Sequence, residues 1–191
     1  YEREAAPSKI PGAALEFDLS GLGAVTSTRL YIREGTAEVK WKNGARLITF
    51  IHPEFPIGWF RFDGATVVPT LIPPSYTGDT NRQGNSVEGQ GLARLGYSQG
   101  TIETKAGTTT YRQPGWNGFE YEVTVSWQHR DHVTMGVWSI TANTSYNQHH
   151  LTSKEETVRA IARGFTQDQK ETVQWWTAFW NTSSITLPDT L

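Results

Sequence analysis

The chain has no cysteine, a single methionine and no long apolar run. Without cysteine it can form neither disulfides nor the cysteine-ligated zinc and iron–sulfur sites of many small domains. No stretch reaches the eighteen or more apolar residues that a membrane-spanning helix needs, so no membrane span is predicted. The formal net charge of -2 shows no excess of basic residues, and we therefore expect no nucleic-acid partner.

Aromatic side chains, in contrast, are abundant. Eight tryptophans, eight phenylalanines and seven tyrosines make up 12% of the 191 residues. This content predicts a strongly aromatic core, or surfaces that stack on flat, partly apolar ligands such as sugars. For any single tryptophan, core packing is the first expectation.

Short segments of alternating apolar and polar residues predict a mainly β fold over the first 150 residues. Ala14–Leu19 alternates with period two, and so does Ala37–Trp41. Asn43-Gly44 follows as a strong signal of a two-residue hairpin turn, with Arg46–Ile51 as the predicted partner strand. Ala65–Pro69 is predicted to pair back across the Asp63-Gly64 turn. The polar stretch from Pro73 to Gly91 is a predicted surface loop, and loops of that length are often functional.

The clearest hairpin joins Phe119–Trp127 to Val133–Ile140. In its first arm, apolar residues alternate with polar ones, so the two sets point to opposite faces of the strand. The polar set, for which we expect a solvated face, is Glu120, Glu122, Thr124 and Ser126. Two glutamates on one face could flank a glycosidic bond, but on a solvated face we interpret them as solubilising residues.

After residue 150 the apolar period becomes that of an α-helix. Ser153–Glu156 has the pattern of a capping box, which predicts that a helix begins there. Thr166–Gln169 repeats the pattern at the start of a second helix. The predicted buried face of the first helix consists of Val158, Ile161, Ala162 and Phe165.

The second helix carries the densest aromatic cluster of the chain, at Trp175, Trp176, Phe179 and Trp180. This spacing predicts a broad apolar face that must be covered. Because only a short extended segment follows, we expect the chain to be a fragment and a further domain to cover this face. The order of strands first and helices last predicts an antiparallel β domain in residues 1–150 and a helical segment in 151–191.

No catalytic motif is recognisable in the sequence. There is no cysteine nucleophile, no Gly-x-Ser-x-Gly motif and no phosphate-binding glycine motif with its βαβ context. His129 and His132 flank the tip of the long hairpin without a third ligand at a telling spacing, so we interpret them as turn residues rather than metal ligands. No catalytic residue, metal site or cofactor is therefore predicted.

Four residues are candidates for contact with a saccharide: Trp116, His149, Trp176 and Trp180. Trp116 lies among turn residues, where it either stacks on a pyranose ring or closes one end of the core. His149 precedes the first helix and either contacts a sugar hydroxyl or belongs to a polar loop. For Trp176 and Trp180, packing is the first expectation and ligand contact the second.

Several stretches resemble inverting glycoside hydrolases of the group around families 65 and 95, whose catalytic domain is an (α/α)6 barrel. The stretches that carry the resemblance are Leu15–Leu19, Thr28–Arg33 with Ala37–Trp41, Gln113–Glu122, and Trp176–Trp180 with Ser184–Pro188. The resemblance implies an antiparallel β-sandwich of the supersandwich type in residues 1–150, with linker helices and the start of a barrel in 151–191. In that group the catalytic residues belong to the barrel, so none is carried over to this chain.

The resemblance implies the non-catalytic N-terminal region of a secreted or periplasmic bacterial glycoside hydrolase. Such a region braces the barrel and contributes to the rim of its substrate site, for which the loop from Pro73 to Gly91 is our candidate. The expected partners are an oligo- or polysaccharide and a catalytic domain that follows this chain. Two alternatives stay open: a self-contained carbohydrate-binding β-sandwich without enzymatic activity, and a structural or adhesion-type β domain. The exposure of Trp175, Trp176 and Trp180 is the observation that discriminates among them.

Overall fold

A computed structural model of the chain describes residues 10, 12–78, 91–144 and 151–183. Within those residues, ten β-strands precede two α-helices, as the sequence predicts for a mainly β fold. The strands are β1 (Ala14–Phe17), β2 (Val25–Tyr31), β3 (Thr36–Trp41), β4 (Arg46–Ile51), β5 (Ile57–Asp63), β6 (Pro69–Ile72), β7 (Thr101–Lys105), β8 (Thr108–Pro114), β9 (Glu120–Arg130) and β10 (Val133–Ala142). The helices are α1 (Ser153–Arg163) and α2 (Phe165–Thr182).

Eight strands form one antiparallel sheet in the order β2-β3-β4-β5-β10-β9-β8-β7. Each half of this sheet is a meander whose neighbours are consecutive in sequence, and the pairing of β5 with β10 joins the two halves. The predicted hairpin at Asn43-Gly44 is confirmed as the β3–β4 turn. The long hairpin of β9 and β10 closes through a two-residue turn at Asp131 and His132, both with positive φ.

The predicted return of residues 65–69 across β5 is wrong. Pro69–Ile72 instead forms β6 and pairs with β1 in a separate two-stranded sheet. The reason is that β5 has β4 on one side and β10 on the other, so neither of its edges is open to a further strand.

One face of the large sheet packs on the two-stranded sheet, which gives a sandwich of two very unequal layers. Phe17 of β1 contacts Phe60 and Phe62 of β5 at ring-centroid distances of 5.0 and 5.2 Å. Trp41 and Val125 are buried in the same cluster. This cluster is the aromatic core that the composition predicts.

The opposite face of the large sheet carries both helices. Phe165, at the start of α2, packs edge-on against Phe50 and Trp59 at centroid distances of 5.2 and 5.7 Å. Ala160 of α1 joins this second cluster. The helices therefore share a core with the sheet that precedes them, and a domain division at residue 150 stays a prediction.

The predicted capping boxes are wrong in position. The N-cap of α1 is Thr152, which accepts from the Glu155 backbone N–H at 3.2 Å, while the Glu155 carboxylate accepts from the Thr152 N–H at 2.8 Å. Ser153 is thus the first helical residue, and its side chain is buried. The pattern at Thr166–Gln169 caps nothing, because α2 begins directly after Gly164 without a side-chain cap.

The predicted buried face of the first helix is wrong for Val158, Ile161 and Ala162, whereas Phe165 is buried as predicted but as the first residue of α2. Val158 and Ile161 are exposed. The residues of α1 that are buried are Ser153, Glu156, Thr157 and Ala160. The physical reason is the polar surface that α1 covers, which is described below.

Candidate functional site

The C-terminal half of α2 lies against the β2–β3 turn. Trp176 covers Gly35, where an added Cβ would overlap the indole ring and where φ is +62°. The indole N–H of Trp180 donates to the Ile32 carbonyl at 2.9 Å. Both tryptophans are half-buried, and glycine at position 35 allows the helix to approach this turn closely.

Two further aromatic residues of α2 are largely uncovered. Trp175 and Phe179 stack with centroids 5.6 Å apart and ring planes 5° apart, and they are 39% and 38% exposed. Val158 and Ile161 on α1 add exposed apolar surface to the preceding helix. Large apolar side chains exposed together are typical of an interaction surface, whereas single ones need no explanation.

An open apolar cleft of about 470 Å³ lies between α2 and the strands β2–β4. Its lining includes Leu30, Ile32, Ala37, Ile51, Trp176 and Trp180. Leu30, Ile32 and Ile51 are each more than half exposed. The convergent polar groups that orient a sugar are few here, so this cleft is suited to apolar side chains rather than to a saccharide.

Trp116 lies in the β8–β9 turn and is 44% exposed. Asn117 and Gly118 beside it have φ values of +50° and +78°. The Asn143 side chain fastens this turn, because its Nδ2 donates to the Gly118 carbonyl and its Oδ1 accepts from the Glu120 N–H, both at 2.8 Å. An exposed indole on a backbone fixed in this way is suited to stacking.

Next to this turn, a polar cleft of about 370 Å³ lies between the ends of β8–β10 and the start of α1. Arg112, Glu122 and Thr141 of its lining are direct cross-strand neighbours on one face of the sheet. Arg112 Nη2 donates to Glu122 Oε2 at 2.7 Å, and Arg112 Nε lies 3.4 Å from Glu120 Oε1. The Arg112 guanidinium therefore forms ion pairs with both glutamates.

Glu122 is buried, contrary to the prediction of a solvated side chain. Ser153 Oγ and the Lys154 N–H donate to Glu122 Oε1 at 2.7 and 3.3 Å. Burial raises the pKa of Glu122, but the hydrogen bonds from Arg112, Ser153 and Lys154 outweigh it, so the pKa lies below its ordinary value of 4.5. The carboxylate is thus ionised at neutral pH, whereas a glycosidase needs one carboxyl group kept protonated.

The same correction applies to the next two polar residues of β9. The Thr124 hydroxyl pairs with that of Ser153 at 2.7 Å, and the Ser126 hydroxyl pairs with that of Thr157 at 3.2 Å. The polar face of β9 is therefore covered by α1, which presents hydroxyls to it. Glu120, whose side chain is 40% exposed, is the member of the predicted set that stays in contact with solvent.

A group of three possible metal ligands lies at the start of α2, where oxygens of Asp168 and Glu171 and a ring nitrogen of His52 are within 4.8 Å of one another. Arg163 donates to the two oxygens of Asp168 at 2.8 and 3.0 Å, and the Trp59 indole N–H donates to Oδ2 at 2.9 Å. The carboxylate is thus already neutralised and hydrogen-bonded. This bonding favours a structural role for the buried Asp168 over a role as metal ligand.

Both ring nitrogens of His52 also have hydrogen-bond partners. Its Nδ1 accepts from backbone N–H groups two and three residues further on, at 3.2 and 3.3 Å. The proton of the neutral ring is then on Nε2, which lies 3.3 Å from Glu171 Oε2. A metal on Nε2 would have to displace that proton and this hydrogen bond, so the group does not fit a metal site.

The predicted saccharide contacts are not brought together. Trp116 and the pair Trp176 and Trp180 lie at the same end of the large sheet, because the β2–β3 and β8–β9 turns are on the same side of an antiparallel array. About five strand spacings separate the two turns, which is roughly 25 Å. His149, and residues 79–90 of the predicted functional loop, lie outside the described residues.

Sequence reasoning missed Arg112 and Thr141 as parts of a possible site. Alternation along β8 puts Arg112 on the same face as Thr110 and Thr108. Only the order β10-β9-β8, however, makes Arg112 and Thr141 the neighbours of Glu122. The sequence could have shown that these residues lie together only if the pairing of β8, β9 and β10 had been known in advance.

No protein-family model matches this chain, and no curated protein matches it in sequence. A solved structure assigned as a kojibiose phosphorylase from the human microbiome has a similar fold, with a TM-score of 0.53 at 8% sequence identity. The similarity covers 94% of this chain and 31% of that protein, so this chain spans about a third of its length. A second solved structure, of a protein from Thermus thermophilus, aligns over 91% of this chain and 99% of its own at 13% identity, with a TM-score of 0.17 that is too low to bear on the fold.

No helix in the described ranges is long and apolar enough to span a membrane.

Proposed function

We propose that this chain is the non-catalytic N-terminal β region of a longer carbohydrate-active enzyme of the glycoside hydrolase type. The observation that carries the proposal is the similarity to an assigned kojibiose phosphorylase, which takes in 94% of this chain but 31% of the larger protein. In this proposal the region braces a helical catalytic domain. Secretion or a periplasmic location stays a prediction.

The bracing surface in this proposal is the outer side of the two helices. Trp175 and Phe179 on α2 and Val158 on α1 are exposed, whereas Ile161 on α1 lines a cleft with Trp127 and Met135 of the sheet and is not part of this surface. A helical domain that follows α2 would reach this surface first, because α2 is the last element of the described chain. Its apolar side chains would cover the stacked pair of Trp175 and Phe179.

The test compares the 191-residue chain with the longer protein read from the coding sequence downstream of Leu191. We expect a run of amphipathic helices downstream and slower hydrogen exchange at residues 175–182 in the longer protein. Trp175→Ala in the longer protein should lower the cooperativity of unfolding between the two parts, whereas Trp116→Ala, an equally exposed tryptophan, should not. A downstream sequence without helices, or unchanged exchange in α2, would contradict the proposal.

The same proposal expects no hydrolysis by the 191-residue chain alone. The two carboxylates of the polar cleft, Glu120 and Glu122, share Arg112, and the pKa of Glu122 is lowered rather than raised. Turnover of an aryl glycoside by the purified chain, abolished by Glu120→Gln or Glu122→Gln, would refute this expectation.

A second candidate function is saccharide binding without catalysis, and the exposed Trp116 in its fastened turn favours it. Loss of one stacking contact on Trp116→Ala should weaken binding by about 1–2 kcal/mol. Calorimetric titration with a panel of oligosaccharides measures this. Trp175→Ala serves as the matched control, since its indole is similarly exposed on another element.

A further inference from the structure

We infer that the polar cleft beside the β8–β9 turn is the part of this molecule that holds the hydroxyl groups of a neutral saccharide, with Arg112, Glu120 and Thr141 as its contacts. This inference rests on the second candidate function and gives it a location. Trp116 provides the adjoining apolar surface, because Asn143 both lines the cleft and fastens the turn that carries this tryptophan.

The dimensions of the cleft suit a small ligand. Its volume of about 370 Å³ falls within the range of roughly 300–1,000 Å³ that is usual for small-molecule sites. Its three proposed contacts lie on the neighbouring strands β8, β9 and β10, so the sheet register sets their positions, while the remaining wall comes from the connection between β10 and α1. Sites built on strands hold their groups more precisely than sites on loops.

Hydrogen-bonding capacity remains in the cleft after the internal contacts are made. Of the five N–H donors of Arg112, one bonds Glu122 at 2.7 Å and one lies at the long distance of 3.4 Å from Glu120. The Arg112 side chain is 51% exposed and that of Glu120 is 40% exposed. Donors and acceptors that face solvent side by side match a sugar hydroxyl, which can donate and accept at once.

The charge of the cleft disfavours ionic ligands. Glu120 and Glu122 carry two negative charges and Arg112 one positive charge, so the cleft has a net negative charge that repels phosphate and other anions. A cation would compete with Arg112, whose bond to Glu122 is short and charge-assisted. A neutral polyol meets neither penalty, so the geometry favours a saccharide over an ion.

The experiment is calorimetric titration of the 191-residue chain with kojibiose, maltose and cellobiose. Glu120→Ala and Thr141→Val each remove one hydrogen-bonding group from the cleft, and each should raise the Kd about fivefold to tenfold. Glu16→Ala and Thr70→Val, exposed residues of the two-stranded sheet, are the matched controls and should leave the Kd unchanged. Thermal unfolding of each variant verifies that the fold is retained.

The outcomes distinguish two claims: that the chain binds a saccharide, and that the polar cleft is where it binds. Weaker binding in both cleft variants, with both controls unchanged, supports the site. Binding that falls with Trp116→Ala but not with either cleft variant overturns the cleft as the site and leaves the second candidate function standing. Binding of none of the three sugars by the wild-type chain overturns both.

Discussion

The helix-covered face of the large sheet has two halves that are held by different chemistry. Under α2, Phe50 and Trp59 pack on Phe165. Under α1, the contacts are hydrogen bonds between hydroxyl groups: Thr124 bonds Ser153, and Ser126 bonds Thr157. The helix α2 is therefore attached mainly by the buried ring of Phe165, with one hydrogen bond from Trp59 to Asp168 beside it. The N-terminal half of α1 is attached by a polar seam, which we define as residues 122, 124 and 126 of β9 with 153 and 157 of α1.

The difference in energy between the two halves is large. A buried aromatic side chain removes roughly 150–250 Å² from water, which at about 25 cal/mol per Å² is roughly 4–6 kcal/mol. A neutral hydrogen bond contributes only about 0.5–1.5 kcal/mol net. The apolar half thus supplies most of the free energy of helix attachment. The polar seam sets the position of α1, because each hydroxyl pair forms at one register only.

The largest expected effect is at the apolar half. Phe165→Ala leaves a cavity against Phe50 and Trp59, and it should lower the free energy of unfolding by about 3–5 kcal/mol. Urea denaturation measures the loss. Phe179→Ala is the control, because its ring is 38% exposed and its removal should cost much less. An equal loss in the two variants would contradict the assignment of stability to the apolar half.

At the polar seam, Glu122→Gln should cost about 1.5–3 kcal/mol at neutral pH, since it removes the charge that accepts from Arg112, Ser153 and Lys154. The pKa of Glu122 is lower in the folded chain than its ordinary 4.5. Its stabilising effect is therefore complete above that value and is lost as the pH falls through the lowered folded-state pKa.

The measurement for Glu122 is the stability difference between wild type and Glu122→Gln at several pH values. We expect it to shrink at acidic pH. Glu120→Gln, on the solvent-exposed member of the pair, should show a difference under about 1 kcal/mol. A difference that grows as the pH falls would contradict the lowered pKa.

A smaller effect is expected for one hydroxyl pair of the seam. Thr157→Val keeps the side-chain shape and removes two hydrogen bonds of the hydroxyl, one to Ser126 and one to the Lys154 carbonyl, which should cost about 1–2 kcal/mol. Thr166→Val, on the exposed surface of α2, is the comparison in the same denaturation experiment. An equal loss of unfolding free energy in Thr157→Val and Phe165→Ala would show that the polar seam stabilises the fold as strongly as the apolar half, and would contradict the comparison.

The smallest effect has the opposite sign. Ser139 of β10 lies opposite Thr124 and is fully buried, and its Oγ has no hydrogen-bond partner in the described part of the chain. Ser139→Ala removes a desolvated hydroxyl without disturbing a bond, so it should stabilise the fold by roughly 0.5–1 kcal/mol. A destabilised Ser139→Ala variant would indicate a buried partner for this hydroxyl, such as an ordered water.

Much of the fold could be predicted from local pattern. Alternation identified β1 and the β9–β10 hairpin, and the Asn-Gly dipeptide located the β3–β4 turn, although the turn bond runs from the Gly44 N–H to the Trp41 carbonyl and only Gly44 of the pair has a positive φ. The site was less accessible. Trp116 could be singled out from its flanking turn residues, but the cleft beside it depends on Arg112 and Thr141, which come from strands on either side of β9.

The wrong assignment of the buried face of α1 has a physical cause. Val158 and Ile161 were assigned to the buried face of α1 by their hydrophobicity, and they are exposed. Helical periodicity reports which residues share a face, not which face meets the sheet. The choice was made by the polar face of β9, whose carboxylate and hydroxyls could be buried only against hydrogen-bonding partners, and Ser153 and Thr157 are those partners.

That strands come first and two helices follow could be predicted from the sequence alone, because alternation, turn residues and helical period are local properties. The aromatic helix over the last described residues could be predicted in the same way. The pairing of β5 with β10, the pairing of β6 with β1 and the burial of an ionised Glu122 follow from the folded structure and not from the sequence pattern. Those outcomes depend on which segments meet across long separations in the chain, and no local pattern encodes the partner.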